Sequence, residues 1–182
     1  MMGGPGKKFF LIEASSDLTL KILQPGDVTK HYIAWMNDKE IVQFTEQSEI
    51  KHTKETVRTF VQTMLMSEEN FLFGIFYKNL HIGNIKLGPV NFLHQKGDIS
   101  YIIGNKSFWG KGIATIIIRE VVNFAFQTLQ LQKLYASVYE NNIGSSKVLL
   151  KNGFIKEGHY IKDILFQGKR IDQLRYGLVK AK

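Results

Sequence analysis

The segment 107–118, SFWGKGIATIII, combines residue types that could bind an anionic ligand. Gly110 and Gly112 flank Lys111, and a long apolar run follows them. Glycine lets a ligand approach the backbone closely, and the first turn of a helix offers free N–H groups with a partial positive charge. The segment therefore predicts a strand-to-helix turn that binds a phosphate or pyrophosphate. A purely structural turn is the alternative.

Two nucleotide-binding motifs do not fit this segment. The P-loop needs Gly-x-x-x-x-Gly-Lys-Ser/Thr, but Asn105 stands at its first glycine and Gly112 at its hydroxyl position. The dinucleotide motif fits better, although Thr115 replaces its third glycine and Glu140 lies beyond the usual acidic position. Its fold also needs helical crossovers upstream, where hairpins are predicted. A pyrophosphate at a helix start is the interpretation that remains.

The overall charge favours anionic partners. The chain has 182 residues, a length that suits one domain, and a formal net charge of +8. Its lysines are scattered, and neither an arginine-rich run nor a known nucleic-acid module is present. Nucleic acid is therefore not an expected partner.

Cysteine and histidine usage indicates the compartment and the absence of a metal. The chain has no cysteine, which fits a reducing cytoplasm, and its 5 histidines show no ligand spacing, so no metal is expected. We expect a flexible tail over 1–8 and the folded domain over 9–182. The apolar run 9–12 is too short for a signal peptide, and we expect no membrane association.

Apolar periodicity and turn residues predict an α/β (α+β) domain. We expect a mixed central sheet of about seven strands with about four helices, antiparallel in its first half and with one βαβ crossover at the glycine segment. Asp27 and Thr53 are the predicted N-caps of the first two helices, and Asn152–Gly153 ends the last one. Strands are predicted over 18–23, 71–77, 81–90, 98–103, 133–139, 154–165 and 170–179, and helices over 28–37, 54–67, 113–129 and 143–151.

Two segments carry a resemblance to a known family. DISYIIGNKSFWGKGIAT and LQKLYASVYENNIGSSKVLLKNGF resemble the GNAT superfamily of acetyl-CoA-dependent N-acetyltransferases. The similarity is greatest to the branch with ribosomal-protein and spermidine acetyltransferases, and it extends from Leu18 to the C-terminus. The predicted order of elements matches that fold, so a single GNAT-like domain is expected.

The resemblance implies an acetyl-CoA site. The family's Gln/Arg-x-x-Gly-x-Gly/Ala loop falls on 109–114, where Gly112 and Ala114 match and Trp109 replaces the polar residue. The Asn-x-x-Ser signature falls on Asn142 and Ser145, and the backbone of 102–104 is implied to pair with the pantetheine arm. The residues implied to bind acetyl-CoA are Ile102, Ile103, Gly104, Trp109, Gly110, Lys111, Gly112, Ile113, Ala114, Thr115, Asn142 and Ser145.

Transfer to an amine requires a base and a proton donor for the departing thiolate. Asp98 is the favoured base, because it begins the strand beside the cofactor loop and several relatives have an acidic residue there. The alternative is that Asp98 only ends the preceding turn. Ser145 is the implied proton donor to the sulfur. The alternative is that it is only a serine in the first turn of a helix. Leu149 stands where many relatives have a tyrosine, which argues against a tyrosine acid there. Glu46, His81 and Glu140 are further candidates.

The acceptor site is implied to lie within 35–53, where Trp35, Phe44 and Glu46 could line it. The expected function is direct acetyl transfer to a primary amine of a small molecule, an amino sugar or polyamine, or to a protein N-terminus. A non-catalytic acyl-CoA sensor or scaffold is the alternative. We expect a monomer or homodimer.

Overall fold

The computed structural model describes residues 10–181, and the predicted tail over 1–8 lies outside them. The strands are β1 Leu11–Glu13, β2 Leu18–Ile22, β3 Phe71–Tyr77, β4 Leu80–Asn91, β5 Lys96–Ile103, β6 Lys133–Tyr139, β7 Ile155–Phe166 and β8 Lys169–Val179. The helices are α1 Lys30–Met36, α2 Lys39–Val42, α3 Lys54–Met66, α4 Ile113–Asn123 and α5 Ile143–Lys151. None of the helices over 10–181 is long and apolar enough to cross a membrane.

The strands form one mixed sheet in the order β1-β2-β3-β4-β5-β6-β8-β7. Neighbours pair antiparallel except β5 and β6, which are parallel and connected through α4. The predicted antiparallel first half and single crossover are therefore confirmed. The sheet has 8 strands rather than about seven, because the 3-residue β1 is too short to give a readable alternation. The 4-residue α2 was missed for the same reason.

Apolar side chains cover both faces of the sheet. Phe71 and Phe73 face the larger core, where Ile117 and Ile118 of α4 are fully buried. Leu72, between those two phenylalanines, faces the other way into a second cluster, which is formed with α1 and α3. This alternation follows from the two-residue period of a strand. The sheet thus separates the glycine segment and α4 from the two early helices.

Helix ends test the predicted caps. Thr53 caps α3, since its side chain accepts the Thr56 N–H, and Gly153 follows α5 with a φ of 82°, as predicted. Asp27 was wrongly predicted as the N-cap of α1, because its carboxylate accepts from the Gln24 N–H at 2.8 Å and closes a separate 3-10 turn. Thr29 caps α1 instead. The predicted helix 113–129 is α-helical to Asn123 and continues as a π-helix over Phe124–Thr128.

The parallel strands β5 and β6 stay together for only three residue pairs. Lys96, Gly97 and Asp98 pair with Lys133, Leu134 and Tyr135, and the two strands separate after that. The remainder of β5 pairs with β4 alone. A gap therefore opens in the middle of the sheet, between the end of β5 and β6, directly before the glycine segment.

Candidate active site

The glycine segment forms the open start of α4. Gly110 and Gly112 have φ angles of 71° and 77°, a left-handed conformation that favours glycine. Gly112 is the N-cap of α4, and a Cβ placed on either glycine would meet no atom within 4 Å. The backbone conformation therefore requires these glycines, while the space around them stays open.

Backbone donors of this turn lack protein acceptors. In the part of the chain that the structure describes, the N–H groups of 110–114 donate no hydrogen bond, whereas the Thr115 N–H bonds the Gly112 carbonyl at 3.0 Å. Several free N–H groups at a helix start attract an anion. The side chain of Ile113 is buried in the core, so this residue presents only its backbone. The open turn therefore fits the pyrophosphate site that the sequence predicts.

Trp109 connects this turn to the end of β5. Its indole Nε1 donates to the Ile103 carbonyl at 2.8 Å, while its ring remains 40% exposed. The neighbouring Lys111 places its Nζ 5.4 Å from the centre of the Phe108 ring. Trp109, which stands where the family usually has a polar residue, thus fixes the glycine segment against the end of β5.

At the end of β5, the backbone groups of every second residue point into the gap. The Gly104 N–H donates to the Ile82 carbonyl at 2.9 Å, on the β4 side. Because bonding direction alternates along an antiparallel strand, the backbone groups of Ile103 and Tyr101 face β6 instead. Of the predicted stretch 102–104, Ile103 therefore faces the gap. Gly104 has a packing role, since a Cβ there would overlap the ring of Trp35.

Helix α5 places a hydroxyl pair beside the gap. Asn142 caps the helix, and its Oδ1 accepts the Ser145 N–H at 3.2 Å. The Ser145 Oγ lies 3.0 Å from the hydroxyl of Tyr101, which belongs to β5. Burial raises the pKa of Tyr101, so its phenol keeps its proton at neutral pH. The two hydroxyls can therefore pass a proton toward a group bound in the gap.

Tyr101 was not found by sequence reasoning. The position examined for a tyrosine holds Leu149, whose side chain is buried in the core. Tyr101 supplies a phenol from a different element, 44 residues away from its partner Ser145. The one available signal is its position directly before Ile102, at the end of the strand that leads to the glycine segment.

A cavity of about 550 Å³ lies along β5. It extends from the segment between α2 and α3, across the face of the sheet, to Tyr101. Asp98 and Ser100 lie on its β5 wall, and Ser137 and Tyr139 on its β6 wall. The cavity thus has polar side chains on both of these walls and reaches Tyr101 beside the gap.

The environment of Asp98 suits a general base. Burial raises the pKa of Asp98 to about 6, against the opposing effects of Lys86, of Arg175 and of the Ile99 backbone N–H. A carboxylate with this pKa is ionised at neutral pH and is more basic than an exposed aspartate. The raised pKa and the place in the cavity wall both support the predicted role of Asp98.

The predicted acceptor residues divide into two groups. Phe44 and Glu46 line the cavity, and Phe44 stacks on Phe166 with ring centres 5.6 Å apart and packs edge-on against Tyr139. Trp35, the third predicted acceptor residue, is buried in the second core cluster and does not line the cavity. Its ring packs on Gly104, where a Cβ would overlap it.

Of the three further base candidates, Glu46 lines the cavity, whereas His81 and Glu140 do not. His81 is buried among aromatic rings, and Glu140 accepts the Asp172 N–H at 3.0 Å at the end of β6. Neither is among the residues that line the cavity. Over residues 10–181, the structure brings together no three His, Asp or Glu side chains that could hold a metal ion.

Comparisons with known proteins find similar sequences and similar folds. A family model described as Acetyltransferase (GNAT) domain matches residues 17–155. The chain is 25% identical over 178 residues to spermidine N(1)-acetyltransferase of Vibrio cholerae, covering 92% of this chain and 96% of that protein. It is 37% identical over 113 residues to the probable N-acetyltransferase YjcK of Bacillus subtilis, covering 60% and 62% of the two chains.

Solved structures share the fold. RimL, a ribosomal L7/L12 alpha-N-protein acetyltransferase solved in complex with coenzyme A, superposes with a TM-score of 0.86 at 19% identity. The match covers 93% of this chain and 98% of that structure. At this identity the structural similarity establishes the fold alone. The family is established by the family model, which matches most of the sequence.

Proposed function

Because the chain belongs to the GNAT family of acetyltransferases, we propose that it moves the acetyl group of acetyl-CoA directly to a primary amine bound beside Asp98. The observation that carries this proposal is the cavity that extends from Asp98 to Tyr101, whose hydroxyl contacts Ser145 at the gap in the sheet. On this proposal the base and the proton donor act on the two sides of one reaction centre, next to the open turn before α4.

The residues around the gap fit acetyl-CoA. The free N–H groups of 110–114 would hold its pyrophosphate, and the backbone of Ile103 would contact the pantetheine arm. Asn142 and Ser145 at the start of α5 would lie beside the thioester. These are the residues that the family resemblance implies, with the contact at 102–104 narrowed to Ile103 and with Tyr101 added.

Acetyl-CoA supplies a thioester carbonyl that an amine can attack. The amine nitrogen forms the new C–N bond as the C–S bond breaks. Asp98 accepts the proton that the amine loses, and the Ser145 hydroxyl donates its proton to the departing sulfur. Tyr101 can replace that proton through its contact with Ser145. After the products leave, Asp98 releases its proton to solvent and the hydroxyl pair regains one from solvent. Protons and charge then balance without an acetylated enzyme.

The need for a base depends on the amine. At pH 7, deprotonating a lysine-like amine with a pKa of about 10.4 costs about 4.6 kcal/mol, against about 1.2 kcal/mol for an α-amine with a pKa of about 7.9. An ionised Asp98 therefore helps most with an amine of high pKa. An amino sugar, a polyamine and a protein N-terminus are the acceptor classes that we consider.

A screen of amines with acetyl-CoA, followed by detection of free thiol, tests this proposal. Amino sugars, polyamines and N-terminal peptides should be supplied in turn, and at least one class should release thiol and gain an acetyl group on nitrogen. Tight binding of acetyl-CoA without thiol release from any class would favour the alternative, a non-catalytic acyl-CoA sensor.

Replacement of Gly112 by aspartate should weaken acetyl-CoA binding about tenfold or more, equal to about 1.4 kcal/mol. The new carboxylate would repel the pyrophosphate, and the φ of 77° would strain any side chain. Isothermal titration with acetyl-CoA measures the change. Gly168→Asp is a matched control, because Gly168 has a φ of 78° and an equally open surrounding in the β7–β8 turn. Equal affinity of both variants would place the pyrophosphate elsewhere.

A further inference from the structure

A bulge in β4 brings two polar side chains together. Ile75 lies opposite Gly83, but the next residue, Phe76, lies opposite His81, so Ile82 is an extra residue in β4. Regular alternation would turn His81 and Asn84 to opposite faces of the sheet. The extra residue shifts the phase, and the two side chains meet on the cavity side.

The hydrogen bonds of His81 fix its tautomer. Its Nε2 lies 3.0 Å from the Gly83 carbonyl oxygen and 2.9 Å from the Asn84 Oδ1. A backbone carbonyl can only accept, so Nε2 must carry the hydrogen and donate to both oxygens. Burial lowers the pKa of His81, which keeps the ring neutral, and within residues 10–181 its buried Nδ1 has no partner. Stacking on Phe76 at 4.9 Å holds the ring in place.

This contact determines which way the Asn84 amide points. If the amide were turned around, its NH₂ group would face the N–H of His81, and two donors would oppose each other. The oxygen is therefore directed to His81, and the NH₂ group is left for another acceptor. Asn84 is 7% exposed and lines the cavity. The cavity thus gains a fixed hydrogen-bond donor.

Lys86 provides a second hydrogen-bond donor beside Asn84. Lys86 follows Asn84 on the same face of β4 and also lines the cavity, opposite Ser100 of β5. Glu46 and Asp98 are the carboxylates among the lining residues of the described chain. With Asp98 assigned to the reaction, the wall formed by β4 offers an NH₂ group and an ammonium group. Both groups bind oxygen atoms and have no favourable contact with a second cation.

We propose that Asn84 determines acceptor specificity by donating to an oxygen atom of the amine substrate, with His81 as the residue that positions it. This inference rests on the proposed function and narrows its substrate class. The acceptor carries a carbonyl, carboxylate or hydroxyl oxygen near its amine, as amino acid amides, peptide N-termini and amino sugars do. A polyamine such as spermidine presents only ammonium donors at neutral pH and leaves Asn84 without a partner.

Steady-state kinetics with three amines tests this inference. Alaninamide offers a carbonyl, glucosamine offers hydroxyls, and spermidine has no oxygen. Asn84→Ala should lower kcat/KM about tenfold or more for whichever oxygen-bearing amine the enzyme uses, mainly through KM. Asn84→Asp keeps the shape but places a carboxylate against the substrate oxygen, so its loss should be larger. Comparing each variant with the unsubstituted enzyme on the same amine cancels the different amine pKa values.

Asn91→Ala is the matched control, since Asn91 lies at the exposed end of the same strand. It should leave kcat/KM unchanged, and thermal unfolding should show that all variants fold. Turnover of spermidine in preference to both oxygen-bearing amines would overturn the inference, as would unchanged kinetics in both Asn84 variants. Failure of every amine to release thiol would refute the proposed function itself, and the inference with it.

Discussion

Asp98→Asn is expected to lower kcat about 100-fold or more at pH 7, within the range for loss of a general base. Asparagine keeps the size and the hydrogen-bonding shape of the side chain but cannot accept the proton of the amine. Binding of acetyl-CoA should be unchanged, because Asp98 lies on the cavity side of β5 and away from the glycine turn. Steady-state rates and a titration with acetyl-CoA separate the two effects.

The kcat of the unsubstituted enzyme and that of Asp98→Asn should depend differently on pH. With a pKa of about 6, Asp98 becomes protonated as the pH falls, so kcat of the unsubstituted enzyme should decline below about pH 6. The variant should lack this limb. Its deficit should be greatest between pH 6 and the pKa of the amine, and it should shrink at higher pH, where neutral amine is abundant. An identical low-pH limb in both proteins would assign the base to another group.

Stability provides a readout independent of turnover. Burial raises the folded-state pKa of Asp98 above its ordinary value of 3.8, so between pH 3.8 and about 6 the folded protein binds more protons than the unfolded chain. The free energy of unfolding therefore falls as the pH rises through this window. Asp98→Asn removes the effect and should raise Tm by about 3 °C at pH 7.5, with little change at pH 4. A lower Tm at pH 7.5 would contradict the buried ionised carboxylate.

Ser145→Ala is expected to reduce kcat about 10- to 1000-fold with little change in acetyl-CoA affinity, because the departing sulfur loses its proton donor. Tyr101→Phe removes the hydroxyl that faces Ser145 at 3.0 Å and should reduce kcat in the same direction. The double variant should be little worse than Ser145→Ala alone, since the two hydroxyls act as one unit. Rates of the four proteins at one pH form the double-mutant cycle.

Matched substitutions separate chemistry from folding here. Ser146 is the next residue of α5, and its buried Oγ has no hydrogen bond in the described chain, so Ser146→Ala should leave kcat unchanged. Tyr160→Phe on β7 is the control for the tyrosine, because its side chain is exposed. Full activity of Ser145→Ala would assign the donor to another group. Strictly additive losses in the cycle would show that Tyr101 and Ser145 act separately.

Long elements with clear ends could be predicted from the sequence. The bounds of β3, β6 and α5 agree with the structure, because turn residues and caps such as Asn142 and Gly153 mark where they start and stop. Asp27 failed as a cap because Thr29 competes for the same role two residues later, and only the tertiary arrangement decides between them. Short elements such as β1 carry too few residues to show a period.

Contacts across the sheet could not be predicted in this way. Tyr101 and Ser145 meet because β5 and α5 flank the same gap, and no local pattern reports that gap. The meeting of His81 and Asn84 depends on a single extra residue, Ile82, which leaves the local sequence without a distinctive mark. Motif reasoning therefore pointed to the open turn before α4 and to Asp98 and Ser145 as candidates, whereas the residues that line the cavity required the structure.

Direct transfer between two bound substrates is tested most directly by initial rates over a grid of acetyl-CoA and amine concentrations. With acetyl-CoA in the gap and the amine in the cavity, both must be bound before the acetyl group moves. Double-reciprocal plots should therefore intersect, and mass spectrometry of the enzyme incubated with acetyl-CoA alone should show the unmodified protein. Parallel lines, together with an acetylated protein in the absence of amine, would contradict direct transfer and assign a covalent intermediate to the enzyme.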